Sequence, residues 1–192
     1  MKLPIFALNT VLYPEGVLPL RVFEARYMDM CRACLTDKTP FGVCSITTGH
    51  EVGAPAAFAS VGTIATIRWC DMEQLGILNI VVEGGPRFAV LAREVGANGL
   101  AIAEVQLLDE VTTSAPPPAG LVDLLQQAMK AIGDVSYLPE RRFDDANWVS
   151  YRLAESLPLL LTVKQKLLEA NDSDLRLLAI AEFVRMPGAA VD

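Results

Sequence analysis

Short runs of alternating apolar and polar residues, separated by turn residues, occupy most of the N-terminal part of the chain. β-Branched and aliphatic side chains dominate these runs, which is typical of strands. Several strands with short connections indicate an antiparallel meander. We predict strands over Ile5 to Leu8, Val17 to Leu20, Val61 to Trp69, Gly76 to Val82, Arg87 to Val95 and Leu100 to Leu108.

Three segments between these runs have the composition of turns. Pro14-Glu15-Gly16 separates the first two strands. Gly84-Gly85 supplies backbone freedom before Pro86, and Asn98-Gly99 suits the positive φ values of a tight hairpin. We therefore expect the chain to turn at all three places.

One helical pattern interrupts the strands. Apolar side chains recur at helical spacing from Phe23 to Leu35, and charged side chains occupy the other faces. The pattern predicts an amphipathic helix that packs through Phe23, Tyr27, Met30, Cys31, Cys34 and Leu35.

A run of three prolines, Pro116 to Pro118, divides the chain, because proline fixes φ and removes a backbone donor. Before it the period is that of strands, and after it the period is 3.6. We expect a β-rich subdomain over 1–113, a proline-rich linker over 114–120 and a helical bundle over 121–192. Strands first and helices later indicate an α+β fold rather than an alternating parallel sheet.

The helical part contains four patterned segments, two of which have acidic candidates for N-caps at Asp144-Asp145 and at 171–174. Gly133 and Pro187-Gly188 are expected to end helices. We predict helices over Leu121 to Ile132, Ala146 to Ser156, from near Pro158 to Ala170, and about Leu175 to Val184.

Composition narrows the class of protein. The chain of 192 residues is long enough to bury a core, and no apolar run approaches the roughly 18 residues of a membrane span. No export signal is visible, so we expect a cytoplasmic protein. The net charge is −7, with −4 over residues 1–112 and −3 over 113–192. This balance argues against nucleic-acid binding, which depends on Lys and Arg.

Few residues suggest chemistry. Cys31 and Cys34 lie in the middle of the predicted helix on its apolar face, which favours core packing over redox or zinc binding, and no second C-x-x-C pair is present. His50 is the only histidine and lies in a turn-like segment without a nucleophile motif. No G-x-x-x-x-G-K-[S/T] loop for ATP occurs. We expect no catalytic residue, no metal and no cofactor.

Two long segments near the N-terminus, LPIFALNTVLYPEG from Leu3 and LPLRVFEARY from Leu18, closely resemble the opening of Lon protease N-terminal domains. Further matches follow in the family's order along nearly the whole chain. Loop departures occur at Asp71 to Gly76 and at Asn98-Gly99. The further matches are Phe41-Gly42-Val43, Val61-Gly62-Thr63, Gly85-Pro86-Arg87-Phe88, Leu153-Ala154, Leu157-Pro158, Lys164 to Glu169 and Leu175-Arg176-Leu177.

The resemblance implies a PUA-like β pseudo-barrel with one inserted helix, followed by a helical bundle. It also implies a free-standing, non-catalytic domain without the ATPase and peptidase, which binds unfolded or extended polypeptide or a protein partner. The oligomeric state is left open by the sequence.

Seven residues are candidates for contact with a partner, each of which could instead have a packing role. Phe23 and Tyr27 are expected to pack the helix on the barrel, while Glu24 and Arg26 form ion pairs that order adjoining loops. Arg87 could hold a carboxylate in its planar fork, and Trp69 beside Arg68 could anchor a partner. The candidate set is Glu24, Arg26, Tyr27, Arg68, Trp69, Arg87 and Phe88.

Two alternatives from other classes remain at this stage. PUA-like barrels bind RNA elsewhere, and a continuous stripe of Lys and Arg on the surface would favour that function. An enzyme or small-ligand site in a cleft between barrel and bundle would require a deep pocket with converging polar groups.

Overall fold

A computed structural model describes residues 1–111, 115–132 and 141–185, without the side chains of Glu73 and Ile132. The chain forms two compact units, Met1–Leu108 and Asp109–Asp192. The first unit holds β1 (Lys2–Leu8), β2 (Val17–Val22), α1 (Ala25–Asp37), β3 (Phe41–Thr48), β4 (Ala57–Phe58), β5 (Val61–Gln74), β6 (Ile77–Val95) and β7 (Ala101–Leu107). The second holds α2 (Ala119–Ile132), α3 (Ala146–Ser156), α4 (Leu161–Glu169) and α5 (Ser173–Arg185).

Strand pairing in the first unit closes into a ring. The order β1-β7-β6-β5-β3 returns to β1, because β1 pairs with β3 as well as with β7. The β1–β3 pair is parallel, and the other pairs are antiparallel. Strands β2 and β4 lie outside the ring, on β6 and β3 respectively. The predicted α+β class, with one helix inserted in a β-barrel and helices in the C-terminal part, is confirmed.

Alternation along β1 fills two apolar clusters, because successive side chains of a strand point to opposite faces. Phe6 and Leu8 join a cluster with α1 and with Val82 of β6. Leu3, Ile5 and Ala7 join a second cluster that includes Phe88 and Val105. β1 therefore holds helix and barrel together.

The turn predicted at Gly84-Gly85 is wrong. Strand β6 runs without interruption from Ile77 to Val95, and neither glycine has a positive φ. The role of Gly84 is a close approach: a Cβ there would lie 2.1 Å from the carbonyl oxygen of Tyr13. The turns at Pro14 to Gly16 and at Asn98-Gly99 are confirmed, with φ values of 59° at Glu15 and 80° at Gly99.

Helix α1 begins at Ala25, two residues later than the predicted start at Phe23. Glu24, which flanks the helix, has extended backbone angles, so Phe23 precedes the first turn and is 55% exposed. The expectation that Phe23 packs the helix on the barrel is therefore wrong.

In the second unit, α3 has the predicted limits, whereas α4 begins at Leu161 and α5 at Ser173. Helix α2 begins at Ala119, inside the segment predicted as a linker. The predicted subdomain limits at 113 and 121 both fall within the second unit. Ser114, Gly133 and Pro187-Gly188 lie outside the described residues.

A buried arginine organises the described part of the helical unit. The guanidinium of Arg176 lies 4.0 Å from the ring centroid of Tyr151 and donates to Ser150 and to the carbonyl of Ala170. It also donates to Asn147, and its side chain has no exposed surface. A buried cation needs such partners, because burial removes its water. We therefore interpret Arg176 as structural.

Candidate functional site

A groove of about 360 Å³ opens on the barrel unit beside β2. Strand β2 forms one wall, and the end of β1 with the loop after β3 contributes further lining. The residues that line it are Phe6, Leu8, Thr10, Leu18, Pro19, Leu20, Arg21, Val22, Phe23, Glu24, Tyr27, Glu51 and Val52. We call this feature the β2 groove.

Two stacked aromatic rings belong to the lining. The ring centroids of Phe6 and Tyr27 are 4.0 Å apart, and both side chains are buried. Burial raises the pKa of Tyr27, and Glu24 adds to the rise, while Arg26 opposes it. The Tyr27 hydroxyl therefore stays protonated and neutral at physiological pH, and this part of the groove is a fixed, uncharged surface.

Two exposed apolar side chains stand at the groove. Phe23 is 55% exposed and Val52 is 56% exposed. Neither was predicted as a partner residue. Phe23 was assigned to the apolar face of α1, and Val52 is a single apolar residue in a polar loop, which is a weak signal in a sequence.

The ion pair expected at the start of α1 is present. Nη2 of Arg26 lies 3.1 Å from Oε2 of Glu24, which accepts from the backbone N–H of Gly53 at 3.3 Å. Arg26 also donates to the carbonyl of Gly99 at 3.2 Å and is almost fully buried. The pair thus connects α1 with the loop after β3 and with the β6–β7 hairpin, so it orders the loops as predicted.

A bulge in β5 determines where Trp69 lies. Ile67 pairs with Val82 and Trp69 pairs with Val81, so Arg68 is an extra residue on β5. The bulge reverses the alternation and places Trp69, which is 51% exposed, on the outer face of the sheet.

An apolar row crosses this outer face. Val81 pairs with Trp69 on one side and with Pro19 of β2 on the other. Beside the row, Arg68 forms an ion pair with Glu83. Because Pro19 also lines the β2 groove, the row reaches the groove's edge.

Arg87 and Phe88 lie in the interior of the barrel unit. Both side chains have no exposed surface, and Phe88 belongs to the second apolar cluster. Cβ atoms built on Gly42 or Gly62 would lie 2.7 Å from the Phe88 ring, so the packing is tight. A partner bound at the surface of the barrel unit would therefore contact neither Arg87 nor Phe88. The structure thus brings Glu24 and Tyr27 to the groove, with Arg26 behind them, and separates them from Arg87 and Phe88.

Three of the four thiols and the acidic residue before α3 have structural explanations. Cys31, Cys34 and Cys44 are buried, whereas Cys70 is exposed. Burial raises the pKa of Cys31 and of Cys44 to about 12, so both remain neutral thiols, and the predicted core packing of Cys31 and Cys34 is confirmed. Asp145 caps α3 as expected. No group of three His, Cys, Asp or Glu side chains suited to a metal occurs among the described residues.

Four of the eight Lys and Arg side chains of the barrel unit form ion pairs among the described residues. Lys2, Arg26, Arg32 and Arg68 each form an ion pair with a carboxylate. Paired cations are poor contacts for phosphates, because their charge is already neutralised. This arrangement argues against the continuous basic stripe that RNA binding would need.

The described part of the helical unit carries a larger cavity of about 710 Å³ between the 115–121 segment and α5. Its lining includes Ala115 and Arg185, which border undescribed residues, so its walls are only partly described. None of the helices over 1–111, 115–132 and 141–185 has the length and apolar character to span a membrane.

Comparison with known proteins identifies the family. Residues 2–185 match the model of the ATP-dependent protease La (LON) substrate-binding domain. A Lon N-terminal domain protein from Xanthomonas campestris has a similar crystal structure, with 32% identity, a TM-score of 0.78, and coverage of 97% of this chain and 99% of that one. The N-terminal domain of the Mycobacterium avium complex Lon protease shares the fold at 18% identity, with a TM-score of 0.68 and coverage of 95% and 97%. The chain therefore belongs to the family of LON substrate-binding domains.

Proposed function

We propose that the β2 groove binds an extended or unfolded segment of polypeptide through its apolar side chains, without chemical turnover. The observation that carries this proposal is the pair of exposed apolar residues, Phe23 and Val52, beside a groove lined by buried aromatic rings. Exposed apolar surface in a concave site favours binding, because contact with a partner removes it from water.

The shape of the groove suits an extended segment. Five of the six residues of β2, all but Val17, line the groove. This wall of the groove therefore runs along a strand. The described part of β2 pairs only with β6, which leaves its other edge open. Pro19 lacks an N–H and weakens that edge as a template for strand addition. Burial of side chains is therefore expected to contribute more to binding than backbone pairing.

Family membership supports binding of a substrate, since the matching model describes a substrate-binding domain. We propose that the substrate is polypeptide and that it binds in the β2 groove. Glu24 and Tyr27 then contact or shape the bound segment, and Arg26 holds Glu24 in place. Arg68 and Trp69 extend the contact surface along the outer row.

The groove is tested by comparing Phe23→Ala with Leu91→Ala. Both residues are exposed apolar side chains of the barrel unit, and Leu91 does not line the groove. We expect Phe23→Ala to weaken binding of fluorescently labelled, reduced and carboxymethylated lactalbumin by about tenfold, or about 1.4 kcal/mol, which is the loss expected for a residue that contributes measurably to an interface. Leu91→Ala should bind like the wild type.

Fluorescence anisotropy measures the affinity, and circular dichroism checks that both variants are folded. If the wild type and the folded Phe23→Ala protein bind the unfolded polypeptide with equal affinity, the β2 groove is not the binding site. A folded wild type that binds no unfolded polypeptide would refute the proposed function.

A further inference from the structure

Two charged residues that line the β2 groove have no ion-pair partner among the described residues. Arg21 is exposed on β2, and Glu51 lies in the loop after β3. The other carboxylate of the groove, Glu24, is neutralised by Arg26 at 3.1 Å. Among the described residues that line the groove, the charges without an ion-pair partner are therefore one cation, Arg21, and one anion, Glu51.

The carboxylate of Glu51 is held in place. One of its oxygens accepts a hydrogen bond from the backbone N–H of Asn9, which follows β1. The adjacent residue is Val52, one of the two exposed apolar side chains of the groove. An anion fixed at the side of an apolar site attracts a cation that a bound segment brings next to its apolar side chain.

Charged or titratable groups face the groove from β2, from the start of α1 and from the loop after β3. Arg21 is on β2, Glu24 and Tyr27 are at the start of α1, and Glu51 is on the loop. Arg26, which does not line the groove, pairs with Glu24. The Tyr27 hydroxyl is neutral, and the Glu24–Arg26 pair carries no net charge. The opposite sign of Arg21 means that the groove is not uniformly acidic. Any preference for a cation must therefore come from Glu51 itself.

We infer that the β2 groove selects polypeptide segments that carry a Lys or Arg next to the apolar residue bound in the groove. Glu51 holds the basic side chain of such a segment. This inference rests on the proposed function and names the class of segment that the groove prefers. The net charge of the chain, −7, assists association with such segments at low ionic strength.

Three synthetic peptides test the inference. They share one apolar core and differ at the single neighbouring position, which is Lys, Gln or Glu. We expect the wild-type protein to bind the Lys peptide most tightly and the Glu peptide least tightly, with about a two- to fivefold difference between neighbours in the series at low salt. Added salt should reduce the difference.

Glu51→Gln removes the charge but keeps an oxygen that accepts from Asn9. Glu104→Gln makes the same change of net charge on β7, outside the groove. We expect Glu51→Gln to bind the three peptides with nearly equal affinity, and Glu104→Gln to keep the wild-type order. Calorimetric titration measures each affinity.

Equal binding of all three peptides by the wild type, or a wild-type order retained by Glu51→Gln, would overturn the inference. If the peptides bind equally but Phe23→Ala weakens all of them, the proposed function stands and the charge preference alone fails. If folded wild-type protein binds none of them, the proposed function fails and the inference fails with it.

Discussion

Gly84 shows how the role of one residue depends on a distant part of the chain. The backbone N–H of Gly84 donates to the carbonyl of Gly16, and its carbonyl accepts from the N–H of Glu15. This contact leaves no room for a side chain beside Tyr13. The sequence reveals the glycine but not its neighbour, so a turn was the natural interpretation of Gly84-Gly85-Pro86. Glycine is required at position 84 because the turn at Pro14 to Gly16 contacts β6 there.

Replacement of Gly84 by alanine should destabilise the barrel unit. The new Cβ would meet backbone, which cannot move as a flexible side chain can, so we expect a loss of about 1–3 kcal/mol in the free energy of unfolding. Gly85→Ala is the matched control, because its Cβ would lie 3.4 Å from Ile64, an ordinary contact. Urea denaturation measures both variants. Equal stability of Gly84→Ala and Gly85→Ala would contradict the close approach.

Residue types also limited the prediction of the site. Phe23 is apolar and exposed, whereas Arg87 is charged and fully buried. The usual burial preferences of residue types predict a buried phenylalanine and an exposed arginine. Their positions follow from the start of α1 and from the packing of β6, neither of which a single residue type indicates. Glu24 and Tyr27, which both line the groove, were candidates because they lie in the LPLRVFEARY segment that resembles the family.

At the scale of elements, features with a local cause were predicted best. Helix α3 begins at its predicted first residue because Asp145 accepts from the backbone N–H groups of Asn147 and Trp148, at 2.9 and 3.1 Å. The bulge at Arg68 was not predicted, since it depends on pairing with β6 rather than on the residues of β5 alone. That one extra residue places Trp69 on the outer face.

Asp145→Ala should destabilise the helical unit by about 1 kcal/mol, because two N–H groups at the start of α3 lose their acceptor. Asp145→Asn keeps an oxygen at the cap and should retain most of the stability. Thermal unfolding followed by circular dichroism compares the two variants. A loss as large in Asp145→Asn as in Asp145→Ala would assign the effect to the charge, which pairs with Arg142, rather than to the cap.

At the scale of the whole molecule, the order of strands and helices predicted the α+β class, while the closed ring did not follow from periodicity. Closure depends on β1, which pairs with β3 and with β7, far along the chain. Local alternation contains no information about such partners, so the barrel was expected only through the family resemblance. Family membership then supports a substrate-binding role, and the groove beside β2 is where we place it.

Hydrogen exchange of backbone amides, with and without bound unfolded polypeptide, tests this placement most directly. We expect binding to slow exchange in peptides that cover β2 and Phe23, and in those that cover Glu51 and Val52. Exchange around Leu91 should not change. Protection confined to other segments, such as the helical unit, with none at β2 or at the 51–52 loop, would contradict the account.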